Sequence, residues 1–91
     1  MMYNIDYADE AREHIFKLAK SEPKAFAKLE KLIKELMAHP RTGTGHPEQL
    51  KGDRSGQWSR TITKKHRLVY AINDDTVVVL AIAAYGHYND K

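Results

Sequence analysis

From position 23 onward the apolar residues Phe26, Leu29, Leu32, Ile33, Leu36 and Met37 recur three or four apart, while Lys24, Lys28, Lys31, Lys34 and Glu35 fill the positions between. This spacing gathers the apolar side chains on one face of a helix and leaves the lysines on a solvated face. Ser21-Glu22-Pro23 marks its start, because Ser caps helices and Pro in the first turn gives up only an N–H that has no helical partner. His39-Pro40 marks its end, since a residue before proline is pushed out of the helical region. A shorter helix is predicted upstream. Asp6 caps it, Asp9 and Glu10 occupy its positive first turn, Ala11, Ile15, Leu18 and Ala19 keep helical spacing, and it ends near Lys20. Ahead of that, positions 2–5 alternate Tyr3 and Ile5 against Met2 and Asn4, the period of a brief strand.

Beyond position 40 the period changes. Residues 41–47, Arg-Thr-Gly-Thr-Gly-His-Pro, hold too much Gly and Pro for a regular element and predict a loop. Strand-like runs follow at 58–63, 67–72 and 76–85, joined by short turns at 63–66 and 73–75. They predict an antiparallel meander. The last run is apolar at both parities, as expected of a strand covered on both sides. Helices early and strands late imply an α+β architecture, in which a short N-terminal strand and two helices precede a three-strand meander, and the helices pack on its twisted sheet. Residues 1–91 make one domain, because two cores would leave each half too small to bury enough apolar surface.

Composition narrows the setting. The absence of Cys removes disulfides, thiolate nucleophiles and Cys-type zinc sites, and fits a reducing cytoplasm. No apolar run approaches the roughly 20 residues of a membrane span, and Met-Met-Tyr-Asn at the start lacks the basic and apolar regions of a signal peptide. The expectation is a cytoplasmic protein with no membrane partner. A net charge of +3 means little until it is placed along the chain. Residues 1–50 carry eight acids and eight bases, so the whole excess lies in the second half, where residues 51–67 hold six bases against Asp53 alone. Such a stretch favours an anionic partner such as RNA, DNA or an acidic peptide.

Within and around that stretch three features can carry chemistry. Glu48 lies in a glycine-punctuated loop and reads either as an exposed loop carboxylate or, beside a basic surface, as a general base. Arg67 shares its strand face with Val69 and Ala71, opposite Leu68, Tyr70 and Ile72. It reads as half of a cross-strand ion pair or as a planar fork for phosphate oxygens. His87-Tyr88 reads as a loose tail or as a proton donor with a neighbouring aromatic ring. Trp58, Tyr70, Phe16 and Phe26 are expected in the core, whereas Tyr85 and Tyr88 are placed to stack on a base. The five histidines show no paired metal-ligand spacing, so no metal and no cofactor is expected. Gly43-x-Gly45 does not open a helix and lacks the Lys and Ser/Thr of a nucleotide-binding loop.

Five blocks, Gly45-His-Pro-Glu48-Gln-Leu-Lys51-Gly, Trp58-Ser-Arg60, Ile62, His66-Arg67-Leu-Val-Tyr70 and His87-Tyr88, occur in an order and at separations that resemble the YoeB/Txe branch of the RelE superfamily of bacterial toxins. The resemblance implies a RelE-like microbial ribonuclease fold. It also implies a ribosome-dependent mRNA endoribonuclease that needs no metal, is held inactive by a YefM-like antitoxin and often dimerises. By the same resemblance Glu48 is the general base, Arg67 the phosphate-binding arginine, His87 the general acid and Tyr88 a site tyrosine. Lys51, Arg60, Lys64, Lys65 and His66 are then expected to bind RNA. One position departs from the family's Trp-Ser-Arg-Arg-Ile, where Thr61 replaces the second arginine. The alternative implied function is a non-catalytic module that occupies the ribosome or acts with an antitoxin as a co-repressor.

Overall fold

β3 (Gln57–Thr61), β4 (His66–Asn73) and β5 (Thr76–Ala84) pair in sequence as an antiparallel meander, as the alternation predicts. The computed structural model, which describes residues 2–84, extends this meander at both edges into a five-stranded sheet of order β1-β5-β4-β3-β2. β1 (Asn4–Tyr7) lies parallel to residues 76–79 of β5, and β2 (Glu48–Gln49) lies antiparallel to β3. β5 therefore has a strand on each edge, but its two faces are covered unequally: Val77, Val79 and Ile82 are buried in the core with the helices, while Val78 and Leu80 stay half-buried.

Two helices, α1 (Asp9–Ser21) and α2 (Pro23–Ala38), pack on one face of this sheet. Their inner stripes, Ala11 and Leu18 from α1 with Ala25, Leu29, Leu32 and Leu36 from α2, meet Leu68, Tyr70, Val77 and Val79 of the sheet. Pro23 occupies the start of α2 as expected, but the caps differ from the sequence reading. Asp6 is not a cap: it pairs with Val78 inside β1, whose parallel ladder satisfies its backbone, and Ala8 stands at the head of α1. Ser21 closes α1 with its hydroxyl donating to the Lys17 carbonyl at 2.9 Å, so Glu22 alone separates the helices. Phe16 is also misplaced by the sequence reading. It is 63% exposed, because it sits roughly 150° around α1 from the buried Ala11 and Leu18 at about 100° per residue. Lys20 covers its ring at 4.7 Å.

Val69, Ala81 and Leu50 form a second, smaller cluster on the sheet face away from the helices. The functional candidates divide between these two faces.

Candidate active site

Side chains alternate across a strand, so β3 and β4 each send one set toward the helices and the other away. Trp58 pairs with Tyr70 and Arg60 with Leu68 on the helix side, while Ser59 pairs with Val69 and Thr61 with Arg67 on the far side. β2 adds Glu48 opposite Ser59. The glutamate and the arginine predicted from sequence thus meet: Glu48 Oε1 lies 3.7 Å from Arg67 Nη2. Their surroundings differ in a useful way. The Glu48 side chain is 56% exposed and the Arg67 side chain only 8%, which sets an accessible carboxylate beside a cation held by packing. Ser59, missed by the sequence reading, belongs to the same face, and its buried hydroxyl has no hydrogen-bond partner among the described residues. The strict alternation within Trp58-Ser59-Arg60 was the signal that could have found it.

Lys51 is exposed just past β2, and Lys64 and Lys65 are exposed in the β3–β4 turn. His87 and Tyr88, like Tyr85, lie outside the described residues. Among the described residues no group of three or more His, Cys, Asp or Glu side chains gathers where a metal could bind.

Two residues expected to bind RNA do not stand at the surface with the lysines. His66 shares parity with Leu68 and Tyr70, and its Nε2 lies 2.9 Å from Glu22 Oε2 at the corner between the helices. Lys65 Nζ approaches the same carboxylate at 3.6 Å. The His66 hydrogen bond, with Lys65 nearby, holds the Glu22 carboxyl below its ordinary range. Arg60 is the larger correction, because it has no exposed surface at all. Nη1 donates to Glu35 Oε1 at 2.7 Å, Nη2 donates to the carbonyls of Thr42 at 2.7 Å and of His39, and Nε donates to the Tyr70 hydroxyl at 3.2 Å. The Tyr70 hydroxyl in turn donates to the Pro40 carbonyl at 2.7 Å. Parity places Arg60 in the core, and its guanidinium survives there only because the 39–44 loop wraps it with acceptors.

Glu35 is the charged partner of this buried cation, and Thr44 donates to it from both backbone and hydroxyl, at 2.9 and 2.7 Å. These two bonds first, and Arg60 after them, pull the Glu35 carboxyl below its ordinary value of 4.5. A carboxyl depressed in the folded state adds stability that is fully present above its unfolded value and is lost as pH falls through the folded one. The melting temperature is therefore expected to drop as pH falls from about 5 toward 3, and Glu35→Gln to flatten that slope in a thermal-unfolding series. Glu22 leaves part of the slope in place. An unchanged slope in Glu35→Gln would contradict this role.

Against this geometry, the model of the YoeB-like toxin of bacterial type II toxin-antitoxin systems matches residues 7–88. A "Toxin YoeB" of Streptomyces coelicolor is 44% identical over 70 residues, covering 77% of this chain and 81% of that protein. The solved YoeB dimer of Staphylococcus aureus superposes with a TM-score of 0.82 at 30% identity, over 97% of this chain and 100% of that one. A YoeB-YefM complex from the same organism superposes at 0.80 and 28% identity, over 91% and 97% of the two chains. With the Glu48-to-Arg67 face in place and a match spanning nearly the whole sequence, the chain belongs to the YoeB-like toxins of bacterial type II toxin-antitoxin systems.

Proposed function

We propose that this chain is a ribosome-dependent mRNA endoribonuclease that inhibits translation and is held inactive by a cognate antitoxin. The observation that carries the reading is the accessible Glu48 carboxylate beside the packed Arg67 guanidinium, at 3.7 Å on the helix-free face. Glu48 takes the proton from a ribose 2′-OH, whose oxygen attacks the adjacent phosphorus. Arg67 neutralises charge growing on the phosphoryl oxygens, a preorganised term commonly worth several kcal/mol. His87 protonates the departing 5′ oxygen, with Tyr88 beside it, and the product ends in a 2′,3′-cyclic phosphate. Proton transfer and one fixed cation balance this step without a metal or cofactor. Lys51, Lys64 and Lys65 grip the RNA backbone from the exposed rim.

The S. aureus relative solved with YefM supports a YefM-like antitoxin as partner, and its dimer supports self-association. No described helix is long and apolar enough to cross a membrane, and the proposed substrate places the protein in the cytoplasm. A second reading, inhibition by occupancy or co-repression without cleavage, draws on Thr61, which stands opposite Arg67 where the family carries another arginine. Induction in bacteria separates the two. Mapping of mRNA 5′ ends is expected to reveal cuts positioned by codon, whereas ribosome binding and arrest with no new ends would overturn the nuclease reading.

A further inference from the structure

We infer that Arg60 is a positioning residue, whose buried fork fixes the 39–45 loop and thereby the direction from which Glu48 meets Arg67. This rests on the nuclease reading of Glu48. Arg60 touches neither substrate nor reacting atoms; it acts through the loop.

The chain of contacts is continuous. Glu35 and the carbonyls of His39, Thr42 and Thr44 all take hydrogen bonds from one guanidinium, with Thr44 the longest at 3.4 Å. Only a planar fork with five donors reaches so many acceptors at once; an ammonium offers three from a single point. The constraint passes from Thr44 to Gly45, whose carbonyl accepts the Thr61 N–H at 2.7 Å. Gly45 sits at φ +87°, and a Cβ there would lie 2.8 Å from the Thr61 carbonyl oxygen, so the loop lies flush on the end of β3. His46, at φ +52°, and Pro47 then deliver Glu48. β2 has only two residues, so Glu48 enters its pairing with Ser59 from a segment that the loop must hold. Arg60 lies between Ser59 and Thr61 in β3, and alternation points its side chain to the face opposite theirs. One residue thereby ties the core to the site.

Replacing Arg60 removes a buried charge and can unfold the chain, so the test works from the loop. Gly45→Ala places a Cβ against β3 while leaving Arg60, Glu48 and Arg67 intact. In single-turnover cleavage of ribosome-bound mRNA by the full chain, Gly45→Ala is expected to slow cleavage by about 10- to 100-fold, the scale of a misplacement near 1 Å. Affinity for programmed ribosomes should stay within about twofold, because the exposed lysines are untouched. In a Glu48→Gln background the same substitution should change the rate by less than about twofold, since nothing remains to be aimed. Wild-type rates in Gly45→Ala, or a loss that multiplies fully in the Glu48→Gln background, would overturn the proposal. If the wild-type chain cuts no RNA, the nuclease reading fails by itself. Hydrogen exchange then judges the latch: protection of the Thr61 amide is expected to be lost in Gly45→Ala and in Arg60→Lys, and its persistence in both would overturn it.

Discussion

Arg60→Met is expected to destabilise the folded chain by about 3 kcal/mol, the low end of the range for breaking a buried ion pair from one side, because the guanidinium is buried while Glu35 is 35% exposed. The substitution keeps much of the side-chain volume but removes every donor from a site with no solvent access. Glu35 retains its two bonds from Thr44, which places the cost toward the lower end of that range. The carbonyls of His39 and Thr42 and the hydroxyl of Tyr70 lose theirs. At about 4–8 °C per kcal/mol for a domain of this size, the melting temperature should fall by roughly 12–24 °C. Tyr70→Phe removes only the hydroxyl between Arg60 and the Pro40 carbonyl and should cost about 1–3 kcal/mol. Urea unfolding of both variants checks the ranking. A loss below about 1 kcal/mol for Arg60→Met would mean that the loop finds water as readily as it finds the guanidinium.

The parts of this molecule that were legible in its sequence are those governed by local periodicity. The leucine stripe of α2 and the alternation of β3, β4 and β5 depend on neighbours within a few residues, and so they could be read directly. Parity also put Arg67 on the face with Val69, where Glu48 joins it. What escaped depends on distant partners. β1 is a strand at Asn4–Tyr7 because β5, some seventy residues later, supplies its parallel ladder, and this turned Asp6 from a cap into a strand residue. β2 is too short for any alternation to show. The resemblance and the surrounding basic stretch both point Arg60 toward RNA, whereas its parity with Trp58 and Ile62 points it inward. Its acceptors, Glu35 and the 39–44 carbonyls, lie 16–25 residues away along the chain. Local charge was outweighed by a burial pattern that only the loop's wrapping makes tolerable. His66 repeats this on a smaller scale, taken by Glu22 across 44 residues.

Glu48→Gln is expected to lower the cleavage rate by about 10²- to 10⁴-fold, the span associated with loss of a positioned general base. The change is nearly isosteric and falls on a side chain that is 56% exposed, so the fold should be indifferent to it and the melting temperature close to wild type. Loss of rate at unchanged stability and unchanged ribosome binding assigns the effect to chemistry. Arg67→Met should cost rate on a similar scale, but its buried position makes it a less clean probe, because stability falls with it. In the proposed mechanism the nucleophile is the 2′-OH, and the substrate therefore offers a cleaner test than any variant. On ribosomes programmed with mRNA that carries a single 2′-deoxyribose at the cut position, the wild-type chain should bind as usual and fail to cleave. The all-ribose message should be cut to a 2′,3′-cyclic phosphate end. Cleavage of the deoxy-substituted message at an undiminished rate would contradict the assignment of Glu48 as the base that activates the 2′-OH.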